Sequence, residues 1–373
     1  MSDAISGRIV TETGVVEGTL RFGARIDAIE PGSADETIIV PGFVDLHVHG
    51  GGGADVMEGA DAVRTMARLH GRHGTTSLLA TTMTAPPDEV VAALTGIAEA
   101  MANAAPDAAD ILGAHLEGPF ISPNKLGAQP PAALGPDLAL LQRLLDICPI
   151  KVATVAPDMG ADAPVEPALM SAFFRALTDR GARVQLGHSP CSYETAVDAF
   201  GKGATGVTHL FNAMSALHHR SPGLAGAALA HAEHGELIPD LLHVHPGAIR
   251  VGLRAVPGLY AISDATAATG MPDGDYRLGR HTVRKCDNGV RLADGTLAGS
   301  ALTMDRAFAN LVEIGLDIAD AARRTSTIAA DYLGLADRGR IAPGQRADLA
   351  VFDSDMTLQR VYKEGRPIDV RDA

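Results

Sequence analysis

The apolar and polar positions along the chain alternate between short apolar runs, typical of buried strands, and longer segments with helical spacing. Strand-like runs at 76–80 and 111–116 are each followed by helical periodicity, at 87–104 and 136–147. Further strand-like runs lie at 151–155, 183–188, 206–209, 241–245 and 259–264. With the apolar run that leads into His47 they number about eight, and their alternation with helices predicts parallel β/α units.

The two ends of the chain have a different pattern. Short β-like pieces interrupted by Gly and Asp occupy 5–40, and a β pattern returns at 341–368. We therefore predict an α/β fold in which a (β/α)8 TIM-like barrel covers 41–340. Both termini, 1–40 and 341–373, are expected to build one small β-sandwich domain beside it.

A β hairpin is predicted to interrupt the second half of the barrel. It covers 276–297, with Asp287-Asn288-Gly289 as its turn. Helical spacing resumes at 303–315 and 318–333, so we interpret the hairpin as an insertion.

Composition narrows the classes of partner. The chain has 373 residues, of which 46% are hydrophobic, and a formal net charge of −14. This charge argues against nucleic acid and anionic membranes as partners, so a bound phosphate needs a local basic residue. The three widely spaced cysteines indicate no disulfide framework. Without a signal-peptide pattern or an apolar segment of the ~20 residues that span a membrane, a cytoplasmic location is expected.

The segment 41–50 carries a metal-binding pattern, because His47 and His49 are two residues apart at the end of an apolar run. Alternate side chains of a strand lie on the same face, so both imidazoles could reach one divalent cation. Two histidines on one strand face also occur as structural residues, and this pair alone is a weak signal.

Other metal-type residues share the same placement at the ends of predicted strands. They are Glu117, His188, His209 and Asp264. The carboxyl ends of the strands of a β/α barrel converge on one mouth, so these side chains are predicted to meet His47 and His49 there. Mixed imidazole and carboxylate ligands suit zinc or another divalent metal, and such a site typically performs hydrolysis.

Three further residues are candidates for catalysis and substrate binding. Asp264 could take a proton from water and deliver it to a leaving nitrogen, although Asp after a strand more often caps a helix. His243 could donate a hydrogen bond to the scissile carbonyl oxygen. Arg220, in a loop after the His209 strand, is the best candidate for a phosphate ligand, because guanidinium matches phosphate bidentately.

These residues stand in motifs through which nearly the whole chain resembles the N-acetylglucosamine-6-phosphate deacetylases of the amidohydrolase superfamily. The blocks are PGFVDLHVHG at 41–50, HLEGPF at 115–120, GHS at 187–189, THLFNAM at 208–214, PGLAG at 222–226, SDAT at 263–266, LAGS at 297–300 and GRIAPGQRADL at 339–349. The resemblance implies removal of the acetyl group from a sugar phosphate in amino-sugar catabolism.

The resemblance also implies roles for individual residues. Glu117, His188 and His209 would hold the main metal and Asp264 would be the catalytic acid/base. Because His47 and His49 are both present, the resemblance allows a second ion shared through Glu117 and Asp264, and one or two ions per subunit are expected. The sugar phosphate would meet Asn212, Ala213, Arg220 and His243. Members of the family are usually homodimers with the phosphate site near the subunit interface.

Two departures from the family pattern affect substrate recognition. Gln129 stands where the family usually has a histidine that contacts the sugar, and Asp240-Leu241-Leu242-His243 replaces the usual Asp-Gly-Leu-His. Gln129 is therefore expected to contact the substrate and leaves the choice of sugar open.

Gln129 also motivates an alternative: another N-acyl amino sugar, such as N-acetylgalactosamine 6-phosphate, or another amidohydrolase reaction. Cyclic amidases are disfavoured because Glu117 stands in a His-Leu-Glu-Gly-Pro context. A catalytically silent barrel with a binding role is the alternative from a different class, and the intact ligand set argues against it.

Overall fold

Most strands of the protein belong to two sheets, and the computed structural model describes residues 3–160, 165–287 and 289–370. The strands from the amino terminus to the end of the barrel are β1 (Asp3–Thr11), β2 (Gly14–Phe22), β3 (Ile26–Pro31), β4 (Ile38–Pro41), β5 (Phe43–Val48), β6 (Gly50–Gly51), β7 (Ala54–Asp55), β8 (Thr75–Thr81), β9 (Asp110–Glu117), β10 (Ile150–Val155), β11 (Arg183–Leu186), β12 (Gly206–Val207), β13 (His234–Leu237) and β14 (Gly258–Ala261). The remaining strands are β15 (Gly274–Leu278), β16 (His281–Cys286), β17 (Gly289–Arg291), β18 (Leu297–Ser300), β19 (Leu349–Phe352), β20 (Leu358–Lys363) and β21 (Arg366–Ile368).

Eight parallel strands form a curled sheet in the order β14-β13-β12-β11-β10-β9-β8-β5. A parallel bridge between Val48 and Ala265 connects its two edges, and the backbone nitrogen of Asp264 donates to His47 O at 2.9 Å. Every residue of β5 and β8 is buried, as expected for a parallel sheet covered by helices. The predicted TIM-like barrel therefore agrees with the sheet order and with this edge contact.

Helices follow the strands and cover the sheet. They are α1 (Ala60–Arg72), α2 (Pro87–Ala102), α3 (Leu138–Leu145), α4 (Pro167–Thr178), α5 (Tyr193–Gly201), α6 (Gly223–His231), α7 (Pro246–Ala255), α8 (Met304–Glu313), α9 (Ile318–Ala322) and α10 (Ile328–Leu333). The helices predicted at 87–104, 136–147 and 303–315 are confirmed within two residues at each end. The helix predicted at 318–333 is α9 and α10 joined by a π-helical turn at Arg323–Thr327. Within the described residues, no helix combines the length and apolar character that crossing a membrane requires.

One predicted strand is wrong. The run 241–245 is irregular, and the strand at this point of the barrel is β13 at His234–Leu237. The carboxylate of Asp240 accepts hydrogen bonds from the backbone nitrogens of Leu242 and His243, at 2.9 and 2.8 Å. These nitrogens therefore have a local side-chain partner and do not join a strand ladder.

The predicted hairpin is part of a larger insertion. Strands β15 to β18 form a four-stranded antiparallel sheet, which extends beyond the predicted 276–297 at both ends. Its apolar face packs against Met83 and Ala268 in a small core of its own. Asn288, the middle residue of the predicted turn, lies outside the described residues.

Both ends of the chain contribute to one mixed seven-stranded sheet, in the order β21-β20-β19-β4-β1-β2-β3. Strand β4 pairs in parallel with β1 and antiparallel with β19, so it joins the two termini. Ile9, Leu20, Phe22 and Leu349 lie in a separate apolar core. The shared sheet was predicted, whereas its arrangement as a sandwich and the domain boundaries stay predictions.

Candidate metal centre and active site

The six predicted metal and acid/base residues lie together where the barrel strands end. His47 is in β5 and His49 directly follows it, whereas Glu117 is the last residue of β9. The other three, His188, His209 and Asp264, follow β11, β12 and β14 by two or three residues. Each of the six is at most 7% exposed, so these polar groups need partners inside the protein.

One group of donor atoms forms around Glu117, His188 and His209. Glu117 Oε1 lies 3.1 Å from His188 Nε2 and 3.1 Å from His209 Nε2. The two imidazole nitrogens are 3.0 Å apart. Three potential ligand atoms therefore converge on one point.

A second group shares the same glutamate. Glu117 Oε2 is 3.1 Å from His49 Nε2 and 3.5 Å from His47 Nε2. Asp264 Oδ1 lies 3.4 Å from His49 Nε2 and 3.5 Å from His47 Nε2. The carboxylate of Glu117 therefore lies between two sets of imidazoles, as required of a ligand common to both.

The histidine tautomers fit a divalent cation. His188 Nδ1 is 2.8 Å from the carbonyl oxygen of Lys125, and His49 Nδ1 is 3.2 Å from that of Thr81. A carbonyl oxygen only accepts, so Nδ1 carries the proton and the Nε2 lone pair of the neutral ring is directed into the site. In the described part of the chain, the ion-pair partners of Glu117 and Asp264 are all histidines, which leaves their charge for a metal to balance.

In the metal-free protein the same contacts shift the acid–base equilibria. Burial opposes ionisation of Asp264, but His47 and His49 outweigh it and lower the pKa of Asp264 to about 2. Burial likewise opposes protonation of His49, yet Asp264 and Glu117 raise its pKa to about 9. The pKa of Glu117 is held well below its usual value by His47 and His188 against the effect of burial. The site is therefore strongly anionic whenever its histidines are neutral.

The backbone of the site is locally strained. Among the described residues, nine non-glycine residues have a positive φ, and six of them lie at this mouth: His188, His209, Phe211, Ala213, Leu241 and Asp264. This left-handed conformation costs a non-glycine residue roughly 1–2 kcal/mol. Leu241, with φ of 65°, occupies the position where related sequences were expected to have glycine. Such strain is concentrated where function needs a particular side-chain direction.

A cavity of about 250 Å³ opens onto the donor groups. Among the predicted substrate-binding residues, Gln129, Asn212, Ala213 and His243 line it. Gln129 Nε2 donates to Glu117 Oε2 at 2.5 Å, and its Oε1 accepts from the backbone nitrogen of Thr84 at 2.7 Å. Gln129 therefore orients the shared glutamate in addition to lining the cavity.

His243 is also held by a carboxylate. Its Nδ1 lies 2.6 Å from Asp240 Oδ2. Burial opposes protonation, but Asp240 outweighs it and raises the pKa of His243. Since Nδ1 is engaged by Asp240, Nε2 is the ring nitrogen that remains for a ligand.

Arg220 is the predicted site residue that the structure does not bring into the cavity. It is exposed, and its Nη1 contacts His219 Nε2 at 2.8 Å. Its role as a phosphate ligand stays a prediction.

Sequence reasoning missed Glu236, whose Oε2 lies 2.9 Å from His47 Nδ1. A carboxylate in the apolar run 235–238 was a usable signal, but the strand was assigned to 241–245. Sequence reasoning also missed Leu278, and it noted Leu297 and Gly299 only as part of a motif; all three belong to the insertion and line the cavity.

A larger cavity, of about 600 Å³, lies beside the terminal sheet. Its lining arginines pair with neighbouring acids, as Arg323 and Arg324 do with Asp320. None of the metal-type groups found in the described residues lies there, so size alone does not identify the active site.

Known proteins share both the sequence and the fold. A model of the amidohydrolase family matches residues 38–368. The chain is 37% identical over 374 residues to an N-acetylgalactosamine-6-phosphate deacetylase of Escherichia coli O157:H7, covering 96% of this chain and 97% of that protein. It is 37% identical over 341 residues to an N-acetylglucosamine-6-phosphate deacetylase of Lysinibacillus sphaericus, covering 88% and 84%.

A solved structure gives the same picture. The N-acetyl-D-glucosamine-6-phosphate deacetylase of Mycobacterium smegmatis, determined as a variant in complex with N-acetyl-D-glucosamine-6-phosphate, superposes with a TM-score of 0.89 at 32% identity. The superposition covers 98% of this chain and 99% of that one. The chain therefore belongs to the amidohydrolase family, in the group that contains the N-acetylglucosamine-6-phosphate deacetylases.

Proposed function

We propose that the protein is an enzyme that hydrolyses the N-acetyl group of N-acetylglucosamine 6-phosphate, releasing acetate and glucosamine 6-phosphate. The observation that carries this proposal is the cavity in which the Glu117 donor groups and the ionised Asp264 face Asn212, Ala213 and His243. The relatives with deacetylase activity on sugar phosphates support the choice of reaction. This reaction would place the enzyme in amino-sugar breakdown.

A divalent metal fits the donor set, and we propose zinc because imidazole and carboxylate ligands are both among those it prefers. Glu117, His188 and His209 would hold one ion, and His47 and His49 would hold another with Glu117 shared. Asp264, which contacts both of the latter imidazoles, would complete the second set. When bound, the ion supplies Lewis-acid activation of water and of the amide carbonyl.

Asp264 is the proposed proton carrier. With a pKa of about 2 it is ionised at neutral pH, so it can accept the proton of the attacking water. As the carbon–nitrogen bond breaks, the same proton passes to the amine that leaves. His243, whose Nδ1 is held by Asp240, would donate from Nε2 to the carbonyl oxygen on which negative charge develops.

The sugar would lie against Gln129, Asn212 and Ala213, and Arg220 is the proposed phosphate ligand. Arg220 faces solvent in its own chain, so this role needs either a movement of its loop or a second copy of the chain. The proposed homodimer would meet the second requirement. We propose a cytoplasmic location for this assembly, where sugar phosphates are formed.

A second candidate substrate is N-acetylgalactosamine 6-phosphate. It is favoured by the relative from Escherichia coli O157:H7, whose identity to this chain equals that of the glucosamine-type relative. Gln129, in place of the expected histidine, lines the same cavity.

The test is a panel of both N-acetyl amino sugars, each with and without the 6-phosphate, assayed for acetate release by zinc-loaded enzyme. The highest kcat/KM is expected for N-acetylglucosamine 6-phosphate, and chelation of the metal should abolish the activity. A preference for the galactosamine compound would select the second candidate. Failure of both phosphorylated sugars to release acetate would refute the proposed reaction.

A further inference from the structure

Glu236 is a buried carboxylate below the two groups of metal donors. It lies in β13, is fully buried, and faces no Lys or Arg within ion-pair distance in the described part of the chain. An ionised carboxylate at such a place is costly unless hydrogen bonds and opposite charge compensate it. The groups that contact Glu236 should therefore show why a carboxylate is placed there.

The two oxygens of Glu236 have different surroundings. Oε2 lies 2.9 Å from His47 Nδ1 and accepts from the backbone nitrogen of His209 at 3.3 Å. Oε1 accepts from the hydroxyl of Tyr260 at 3.4 Å and is 3.7 Å from His115 Nδ1. The short contact is the one to His47.

Glu236, His47 and His115 are close enough together to suggest a further ion site, but His115 has no nitrogen free for it. His115 Nδ1 lies 3.0 Å from the carbonyl oxygen of Leu46, and its Nε2 lies 2.8 Å from the hydroxyl of Thr154. The cluster is therefore better explained as support for His47 than as a ligand set.

The two ring nitrogens of His47 face different carboxylates. Nδ1 meets Glu236, and Nε2 is directed at Glu117 and Asp264. A carboxylate that accepts from Nδ1 keeps the proton there, leaves the Nε2 lone pair free, and makes the imidazole a stronger ligand. The Nδ1 atoms of His49 and His188 lie on neutral carbonyl oxygens, so among these three histidines only His47 has a carboxylate at Nδ1.

We propose that Glu236 is a positioning residue that fixes the orientation and tautomer of His47, and so holds a divalent cation among His47, His49, Glu117 and Asp264. The inference rests on the proposed metal dependence. The cation would also balance the buried charge of Glu236 through the imidazole, which explains why an acid is accommodated at this depth.

The experiment measures bound ions and not deacetylation. Zinc dissociation constants are determined by chelator competition for the wild type and for E236L, E236Q and H49A, together with the melting temperature of each metal-free protein. H49A identifies which ion belongs to the His47 and His49 position. Tyr260→Phe is the matched control, since it removes the partner of the other oxygen and preserves volume.

E236L should weaken the ion that H49A removes by about 10- to 100-fold and leave the ion at His188 and His209 unchanged. Glutamine can still accept from Nδ1, so E236Q should weaken the same ion selectively but less, by up to about 10-fold. If E236L does not fold, the zinc affinity of E236Q alone tests whether Glu236 supports the ion at His47 and His49. Tyr260→Phe should retain both ions with wild-type affinity.

Three results would overturn the inference. One is unchanged affinity for both ions in E236Q and E236L. Another is equal weakening of both ions in step with a lower melting temperature, which would indicate a purely structural role. The third is that the wild type binds a single ion and H49A still binds it, because that ion would not be held by His47 and His49. If the wild type binds no ion at all, the proposed function is contradicted instead.

Discussion

Asp264 is a carboxylate whose pKa is set by its immediate neighbours. Its Oδ1 lies within 3.5 Å of two imidazoles, and its pKa of about 2 keeps it ionised at neutral pH. Asp264→Asn is isosteric but cannot accept the proton of water. We expect kcat to fall by at least ~10²-fold, the usual scale for loss of a general acid/base.

Metal content by elemental analysis is the control for Asp264→Asn, because the same side chain is a potential ligand. The variant should keep the ion held by Glu117, His188 and His209, whose contacts do not involve Asp264. Turnover close to that of the wild type would remove Asp264 from the mechanism.

Arg220 tests substrate recognition in a protein whose net charge of −14 repels a sugar phosphate. Arg220→Met should reduce kcat/KM for the phosphorylated sugar by an amount equivalent to a loss of ~1.5–3 kcal/mol of transition-state stabilisation. It should barely change the low rate on the unphosphorylated sugar. His219→Met, in the same exposed loop, is the matched control and should have a smaller effect. Equal losses on both sugars after the Arg220 change would mean that it supports the fold or the chemistry.

At the scale of elements, the barrel strands end in tight backbone conformations that direct the candidate metal ligands. Gly118 follows Glu117 with φ of 74°, and a Cβ placed there would lie 2.0 Å from Thr84 Oγ1 and 2.9 Å from Thr84 Cα. Strands β8 and β9 therefore leave the barrel in contact at a position that only glycine fits.

Gly118→Ala should destabilise the protein by more than the roughly 1–2 kcal/mol of the left-handed conformation, because Thr84 must also move. Since Glu117 is adjacent, metal affinity should fall as well. Gly181→Ala is the control: φ is 78° there, but nothing lies within 4 Å of the added Cβ. Denaturant unfolding and metal titration of both variants check this; equal effects of the two would show that the contact with Thr84 does not matter.

At the scale of the whole molecule, a cluster of charges joins the barrel to the terminal sheet. Asp110, at the start of β9, lies 3.1 Å from Lys363 Nζ in β20, 2.8 Å from Arg346 Nη2 and 3.2 Å from Arg338 Nη1. Burial opposes ionisation of Asp110, but Lys363 and Arg346 outweigh it and lower its pKa. One carboxylate therefore contacts three cations from the carboxyl-terminal part of the chain, of which Arg346 also pairs with Asp348 and Arg338 with Asp337.

Asp110→Asn should lower the free energy of unfolding at neutral pH by roughly 2–4 kcal/mol, because the buried Lys363 loses its acidic partner and Arg346 and Arg338 each lose one of theirs. Because the folded pKa lies below the usual value of about 4, the contribution is fully present above that pH and is lost as the pH falls through the folded pKa. The difference from wild type should therefore shrink in acid. Melting curves from neutral pH to pH ~3 test this, with the exposed Asp107→Asn as control; a difference independent of pH would refute the electrostatic account.

The meeting of the candidate metal ligands at one mouth was predictable because it depends on local order along the chain. His47, Glu117 and Asp264 each end an apolar run, and parallel strands that alternate with helices must bring their carboxyl ends to one edge. The order of residues along the chain and the side-chain periodicity are sufficient for that inference. The β patterns at the two ends were likewise sufficient to predict that the termini share a sheet. The resemblance, carried by motifs around the same residues, added the choice of reaction.

Only the tertiary structure decided between competing local patterns. The sequence pattern indicated a strand at 241–245, whereas the barrel strand is 234–237: it pairs with β12 and β14, and the Asp240 side chain accepts from backbone nitrogens of the predicted run. Because β13 is the paired strand, Glu236 contacts Nδ1 of His47. Contacts between residues far apart in the chain cannot be read from periodicity, because periodicity reports which face is buried and not what covers it.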